Sequence, residues 1–256
     1  MYQYELLACY SIARQAGETA LRYWRQGLQP ETKPDDSPVT VADRESERLI
    51  VRLLEEKFPE DGVLGEEGAS KPSRNGRRWI IDPIDGTRDF VRGNTAWAVL
   101  LALEVDGQVV AGTAFLPAMG DMFGAAKGQG AFRNHAPIRA SATSELSQAV
   151  VCVNGLNDLR QFAFAGGLLG WLEGAWAVRS MGGCLDAVMV ASGQADLWIE
   201  TSGKAWDFAP LKILAEEAGA RFFNFDGGAS IHGGNCVICS PGLEPEARRL
   251  VGASGN

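Results

Sequence analysis

The short apolar run 79–81, Trp-Ile-Ile, is followed directly by Asp82 and, three residues later, by Asp85. Such a run predicts the end of a buried strand. At an effective dielectric of about 20, two carboxylates about 4 Å apart repel each other by roughly 4 kcal/mol. A divalent cation between them would relieve that repulsion, so the pair is a candidate metal site.

The residues that complete this corner favour a sharp change of direction. Pro83 has no backbone N–H and a fixed φ, so we expect it to end the strand. Gly86 permits a tight turn, and Thr87 is a good N-cap for a following helix. The N-terminus of that helix would offer free N–H groups to an anion. Carboxylates, a metal and an anion site on one corner indicate phosphate-transfer chemistry.

Further carboxylates lie at the ends of other predicted elements. Glu66 and Glu67 follow a strand predicted at 63–65. Asp43 begins the second predicted helix, and Asp207 begins a later one. Mg²⁺ prefers oxygen ligands and usually takes one or two carboxylates beside water and substrate phosphate. About four carboxylates would therefore serve two adjacent ions, which could bind both the attacking water and the leaving oxygen.

Hydrophobic periodicity predicts two helices and then a largely antiparallel sheet in the first half of the chain. A polar, proline-containing segment between the helices is typical of a mobile lid. The pair Asp106-Gly107 is a strong hairpin signal. The predicted elements are helices at 2–28 and 43–58, the lid at 29–41, strands at 63–65, 79–81, 96–105 and 108–115, and a second hairpin at 121–132.

The second half alternates strands and helices, and together the halves predict an α+β fold. We expect an N-terminal unit, residues 1–145, that carries the lid and the metal motifs, and a C-terminal α/β unit, residues 146–256, that carries Asp207. The two would pack as one body with a cleft between them. The predicted elements are strands at 149–153, 175–179, 195–200, 221–225 and 235–239, and helices at 158–172, 184–191, 206–218 and 244–251.

Composition excludes several classes of partner. The 256 residues carry a net charge of −8, and Lys and Arg form no basic run. Binding to nucleic acid or to an anionic membrane is therefore not expected. The N-terminal segment contains charged residues throughout, unlike a signal peptide, and the chain has no apolar run of 18 residues. We expect a soluble, cytoplasmic protein.

Cysteine and histidine chemistry is disfavoured. Cys236 and Cys239 form a CxxC in an apolar context without a second ligand pair, so we interpret them as buried strand thiols rather than a zinc or redox site. The two histidines, His135 and His232, lie far apart without ligand spacing. A histidine nucleophile or catalytic triad is not expected.

Four motifs make the chain resemble the inositol monophosphatase family of Mg²⁺-dependent, lithium-sensitive phosphatases. They occur in the family's order over nearly the whole chain, which is far more specific than a lone Asp-Gly-Thr. The resemblance implies the layered αβαβα sandwich of inositol monophosphatase and fructose-1,6-bisphosphatase, two or three Mg²⁺ ions per site, and a homodimer. The motifs are Lys33 to Asp43, Gly65-Glu66-Glu67, Asp82-Pro83-Ile84-Asp85-Gly86-Thr87, and Trp206-Asp207 with Glu217-Ala218-Gly219.

The resemblance also implies roles for individual residues around the metals. Asp43 would support a third ion through water, and Thr87 with Glu66 would orient the attacking water. The N–H groups of Gly86 and Thr87 would bind the phosphate. Lys33 is the functional candidate in the lid, with a solvated lysine as the alternative. Glu67 is interpreted as a solvated or supporting neighbour, with a direct role as the alternative. The metal ligands would be Glu66, Asp82, the Ile84 carbonyl, Asp85 and Asp207.

Substrate contacts are implied at three places. The loop Gly182-Gly183-Cys184 matches the family's substrate loop, which is commonly Gly-Thr/Ser-Ala. Gly183 stands where the family usually has threonine or serine, so the side-chain hydroxyl is missing here. Glu200 matches a ligand of a substrate hydroxyl. Arg88 is a further candidate, although Arg88 and Asp89 could instead form a surface ion pair of little energetic value.

The substrate is less specified than the reaction class. The run Asp89 to Gly93 and the strand that begins Ala96-Trp97 resemble the histidinol-phosphatase branch of the family. Inositol-1-phosphate is the alternative substrate, and a 3′(2′),5′-bisphosphate nucleotide is a further one. Two other classes remain open: a phosphatase with a nucleophilic aspartate, which the Asp-x-x-Asp spacing disfavours, and a non-catalytic phosphoester-binding protein.

Overall fold

The computed structural model describes residues 2–27, 29–33 and 38–253. It contains two large sheets, an eight-stranded one from the first half of the chain and a five-stranded one from the second. Within the described residues, no helix is both long and apolar enough to cross a membrane.

The first half begins with two helices, α1 (Gln3–Leu21) and α2 (Val41–Lys57). Helix α1 is shorter than the predicted 2–28, because the chain after Leu21 forms turns in which Arg25 and Gly27 take positive φ angles of 64° and 66°. Helix α2 begins earlier than predicted, since Thr40 caps it and Asp43 completes a capping box.

Part of the predicted lid is described. Short strands β1 (Glu31–Thr32) and β2 (Pro38–Val39) pair antiparallel between α1 and α2. Residues 34–37 of the predicted lid lie outside the described residues, so the mobility of the lid stays a prediction.

The eight-stranded sheet is antiparallel except for one parallel pair, β3 with β5. Its order is β10-β9-β8-β7-β6-β5-β3-β4. Asp106 and Gly107 both take positive φ, 49° and 77°, as a two-residue hairpin turn requires. The strands are β3 (Gly62–Gly65), β4 (Ser70–Lys71), β5 (Arg77–Asp85), β6 (Ala98–Val105), β7 (Gln108–Leu116), β8 (Asp121–Ala126), β9 (Ala131–Arg133) and β10 (Ala136–Ile138). A short helix, α3 (Thr87–Arg92), follows β5.

The five-stranded sheet has the order β12-β11-β13-β15-β14, with the first three strands parallel. The predicted helix 158–172 is wrong in its first half, where a one-turn 3₁₀ helix at Leu159–Gln161 precedes the α-helix. The elements are β11 (Val150–Asn154), α4 (Ala165–Leu172), β12 (Ala177–Arg179), α5 (Gly183–Ala191), β13 (Leu197–Glu200), α6 (Ala205–Glu217), β14 (Arg221–Phe223), β15 (Cys236–Cys239) and α7 (Glu244–Val251).

Side chains along each strand point alternately to the two faces of its sheet, and helices pack against both faces, which gives five layers. Trp79 and Ile81 of β5 pack towards α1 and α2, whereas Ile80 packs towards α5 and α6. The other face of the α5–α6 layer covers the five-stranded sheet through residues such as Trp198, and α4 and α7 cover that sheet's outer face. The predicted α+β sandwich is therefore confirmed as helices, sheet, helices, sheet, helices. The division at residue 145 stays a prediction.

Candidate active site

The corner after β5 differs in detail from the prediction. Strand β5 continues through Pro83 to Asp85, and its pairing with β6 shifts register between Asp82 and Asp85. The prediction that Pro83 ends the strand is wrong, since proline is tolerated at such an irregularity. Residues three apart on a regular strand point to opposite faces, so the register shift is what lets both aspartates reach one cavity.

The turn into α3 also differs. Gly86, not Thr87, is the N-cap, with a φ of 82°, and Thr87 is the first helical residue. A Cβ at position 86 would lie 2.8 Å from the Ala96 carbonyl oxygen, so only glycine fits there. The Thr87 hydroxyl is consequently free to lie 3.2 Å from the Ile84 carbonyl and 3.3 Å from Asp43 Oδ1.

Three carboxylates converge at this corner. Oxygen atoms of Asp82, Asp85 and Asp207 all lie within 4.8 Å of one another. Asp207 Oδ2 accepts a hydrogen bond of 2.6 Å from the Lys204 N–H at the start of α6, and Asp85 Oδ2 accepts one of 3.0 Å from the Cys184 N–H at the start of α5. Elements from both halves of the chain thus fix the cluster.

Burial makes this cluster unfavourable without a cation. Burial raises the pKa of Asp82 well above its ordinary value, and the neighbouring charges of Glu66, Asp85 and Asp207 raise it further. Burial, with the charge of Asp85, raises the pKa of Asp207 to about 7. Oxygen donors alone, at this spacing and in this electrostatic field, fit a hard divalent cation such as Mg²⁺.

Glu66 lines the same cavity and is held by the predicted lid lysine. Lys33 Nζ lies 2.8 Å from Glu66 Oε1 and 2.6 Å from Glu67 Oε1. Burial raises the pKa of Glu67 to about 7 even though Lys33 lowers it. Burial lowers the pKa of Lys33, but its bonds to both glutamates raise it overall. Lys33 therefore supplies positive charge at the edge of the cavity.

Asp43 is fully buried and contacts the site through Thr87. Its Oδ2 accepts hydrogen bonds from the Thr40 N–H at 2.8 Å and the Thr40 hydroxyl at 2.6 Å, while Oδ1 faces Thr87. The same carboxylate thus caps α2 and orients the threonine. Its support of a third ion stays a prediction.

The predicted substrate loop reaches the cavity through one residue. Gly183 lines it, has a φ of 40°, and would place a Cβ 2.8 Å from Asp85 Oδ2. A side chain there would push against the cluster, which accounts for the glycine. The Cys184 side chain is buried in the central core, and the Gly182 N–H donates to Asp186.

Glu200 is not among the residues that line the cavity. It is buried at the end of β13, and its Oε1 accepts a hydrogen bond from the Ser202 N–H at 3.2 Å. Burial raises its pKa to about 8, opposed by the Ser202 bond and assisted by the charge of Asp207. Its contact with a substrate hydroxyl stays a prediction.

The cavity that these residues enclose has a volume of about 270 Å³, a size for a small molecule. Arg88 and Asp89 line it too, and Asp89 bonds Asn94 rather than Arg88. The lining residues are Glu66, Asp82, Ile84, Asp85, Gly86, Thr87, Arg88, Asp89, Gly183 and Asp207.

Sequence reasoning missed Glu47. This carboxylate on α2 is 4% exposed and accepts hydrogen bonds of 2.9 Å from both the Glu67 and Ala69 N–H groups. It therefore fixes the turn that carries Glu66. The charged run 44–48 is typical of a solvated face, but the spacing of Asp43 and Glu47, four residues apart, would have placed both on one side of the helix.

The cysteine interpretation is confirmed. All five cysteines are free and buried. Cys236 packs in the central core and Cys239 in the outer one, on opposite faces of β15, so the two thiols cannot share a metal.

A five-layer sandwich with buried oxygen donors where its halves meet defines a metal-dependent phosphatase site. The sequence profile described as the inositol monophosphatase family matches residues 2–254. The chain belongs to that family, and it is an enzyme of this metal-dependent phosphatase class.

Individual relatives agree with the family. The chain is 38% identical over 253 residues to a histidinol-phosphatase of Chlorobaculum parvum, covering 98% of this chain and 97% of that protein. It is 36% identical to an inositol-1-monophosphatase of Mesorhizobium japonicum, covering 93% and 91%. The crystal structure of extragenic suppressor protein suhB from Bartonella henselae matches with a TM-score of 0.89 at 28% identity, covering 97% and 98%.

The raised pKa of Asp207 predicts how the metal-free protein responds to pH. The folded chain holds this proton up to about pH 7, whereas the ordinary pKa is 3.8, so the folded state binds more protons between these values. The free energy of unfolding should therefore fall as the pH rises from about 4 to 7. Thermal melting of protein treated with a metal chelator should show this decrease in stability with pH, and Asp207→Asn should make the decrease smaller. An unchanged slope in Asp207→Asn would contradict the electrostatic account.

Glu47→Gln tests the support of the Glu66 turn. The two N–H groups bond to different oxygens of Glu47, and glutamine replaces one of these oxygens with an NH₂ donor, so one of the two bonds is lost. We expect the Mg²⁺ concentration for half-maximal activity to rise by roughly 10–100-fold, as for other outer-shell partners of metal ligands. Glu55→Gln, on the exposed part of the same helix, is the matched control. Identical Mg²⁺ titrations for the two variants would refute the assignment.

Proposed function

We propose that the protein is a Mg²⁺-dependent phosphomonoesterase whose substrate is histidinol phosphate. The observation that carries the catalytic part is the convergence of Asp82, Asp85 and Asp207 within 4.8 Å on one small cavity. The choice of histidinol phosphate as substrate rests on the 38% identity to a histidinol-phosphatase, together with the run Asp89 to Gly93.

The proposed roles are those that the family resemblance implies, and the convergence of these residues on one cavity supports them. Glu66, Asp82, Asp85 and Asp207, with the Ile84 carbonyl, would hold two or three Mg²⁺ ions. Bound Mg²⁺ supplies positive charge and lowers the pKa of a coordinated water.

Around the ions, Thr87 and Glu66 would orient the attacking water for in-line displacement at phosphorus. The Thr87 hydroxyl has two acceptors for its hydrogen, Asp43 Oδ1 and the Ile84 carbonyl, so a hydroxyl lone pair would remain for that water. The N–H groups of Gly86 and Thr87 would bind phosphate oxygens. Arg88, Gly182, Gly183, Cys184 and Glu200 remain the proposed substrate contacts.

Replacing either of two proposed metal ligands, Asp85 or Asp207, with asparagine tests these roles. Asp85→Asn and Asp207→Asn remove a charged ligand while keeping side-chain volume, so we expect folded protein with activity lowered by more than about 100-fold. Steady-state kinetics and thermal melting measure the two effects. Asp106→Asn, in an exposed hairpin turn that also suits asparagine, is the control. Near-normal turnover in either ligand variant would reject the metal assignment.

A substrate panel tests the specificity. We expect kcat/KM to be highest for histidinol phosphate among histidinol phosphate, inositol-1-phosphate, fructose-1,6-bisphosphate and adenosine 3′,5′-bisphosphate, with Mg²⁺ required and Li⁺ inhibitory. A clear preference for inositol-1-phosphate would favour the alternative function, which the 36% identity to an inositol-1-monophosphatase supports. Comparable low values for all four would place the substrate outside this set.

We also propose a cytoplasmic homodimer, on the resemblance to the family. The exposed apolar side chains of Trp176 and Val178, at edge strand β12, support an association surface there. Sedimentation of the full chain would test it, and a monomer at all concentrations would exclude it.

A further inference from the structure

Asp89 is a carboxylate of the active-site cavity that the proposed metal ligands do not include. It lies in the first turn of α3, four residues after Asp85, and it is half-buried. It lines the same cavity as Asp85 and Asp207. Its position at the cavity makes it available to a bound substrate.

The orientation of this carboxylate is fixed. Asp89 Oδ1 accepts a hydrogen bond of 2.6 Å from Asn94 Nδ2, and the Asp89 carbonyl accepts one of 2.9 Å from the Asn94 N–H. Asn94 is itself held by its Oδ1, which accepts from the Thr95 N–H at 2.6 Å. One oxygen of Asp89 is thus occupied by the protein, and the other is left for a second partner.

The second oxygen faces the glycine loop. A Cβ built on Gly182 would lie 3.8 Å from Asp89 Oδ2, and Gly182 has a φ of 107°. Because Gly182 lacks a side chain, no Cβ occupies the space beside Oδ2, and a small group can lie there. A hydrogen-bond donor on a substrate can therefore approach this oxygen from the cavity.

The charge that Asp89 keeps when metal ions occupy the cavity favours a cationic donor. Five carboxylates line the cavity, and Arg88 is the basic residue among the lining residues. Four of these carboxylates belong to the proposed metal site, and the fifth is Asp89. Among residues 2–27, 29–33 and 38–253, no Lys, Arg or His nitrogen lies within 4 Å of the Asp89 carboxylate. A partly buried carboxylate without a cationic partner binds an ammonium group more strongly than a neutral hydroxyl.

We propose that Asp89 is a specificity-determining residue that binds the ammonium group of an amino-alcohol phosphate and so favours cationic over neutral substrates. The inference rests on the proposed phosphomonoesterase function and extends it to the recognition of the leaving alcohol. The Asp89 carboxylate takes no part in the chemical step, so its removal should act on KM more than on kcat.

The test uses Asp89→Asn and two substrates that differ in one group, O-phosphoethanolamine and 2-hydroxyethyl phosphate. Asparagine keeps an oxygen for Asn94 but removes the charge. We expect kcat/KM for O-phosphoethanolamine to fall about tenfold, through KM, with little change for 2-hydroxyethyl phosphate. Asp158→Asn, an exposed aspartate on a 3₁₀ turn, removes one surface charge as the matched control and should leave the ratio of the two substrates unchanged.

Histidinol phosphate and inositol-1-phosphate are measured beside this pair, so that the two proposals can fail separately. If Asp89→Asn lowers kcat/KM equally for both members of the pair, the role of Asp89 is refuted, even where wild-type enzyme prefers histidinol phosphate. If the pair responds as expected but wild-type enzyme does not hydrolyse histidinol phosphate, the role of Asp89 is supported and the named substrate is rejected. If wild-type enzyme hydrolyses none of the four with Mg²⁺, both proposals are rejected.

Discussion

Mutual repulsion among the buried carboxylates of Asp82, Asp85 and Asp207 is the constraint on which the site depends. Each is fixed by a backbone N–H: Ile84 donates to Asp82, Cys184 to Asp85 and Lys204 to Asp207. These bonds hold like charges together in a place where burial already disfavours ionisation. A divalent cation bound between the carboxylates would offset this repulsion. Metal binding is therefore coupled to the ionisation of the three aspartates and to the stability of the fold.

The fold explains how distant residues meet at this point. The central layer, α5 and α6, packs against both sheets, and the first turn of each helix faces the end of β5. Helix α2 approaches from the other side of the eight-stranded sheet and contributes Asp43 and Glu47. Glu217, at the far end of α6, accepts hydrogen bonds from the N–H groups of the turn 128–130, which fastens that helix to the same sheet. A metal bound at this corner would therefore join three layers: helix α2, the eight-stranded sheet and the central helices.

Local signals such as strand alternation and the Asp106-Gly107 turn were sufficient for the α+β class and for the candidate carboxylates. The five layers and the grouping of the carboxylates into one site came from the family resemblance that the spaced motifs carry. The sequence was insufficient where tertiary contacts override local preference. Pro83 does not end β5, because the register shift against β6 accommodates it. Gly183 lacks a side chain because Asp85 occupies the space where one would lie, and Glu47 is buried because it binds the N–H groups of a distant turn. None of these partners is adjacent in sequence, so a single sequence could not reveal them.

Anomalous scattering from crystals soaked in Mn²⁺, which accepts the oxygen ligands suited to Mg²⁺, shows directly whether the three carboxylates bind metal. We expect anomalous peaks between the carboxylates of Asp82, Asp85 and Asp207, with at least one ion bound by residues from both halves of the chain. Ions bound elsewhere at full occupancy, with this cluster left without a peak at neutral pH, would contradict the metal assignment.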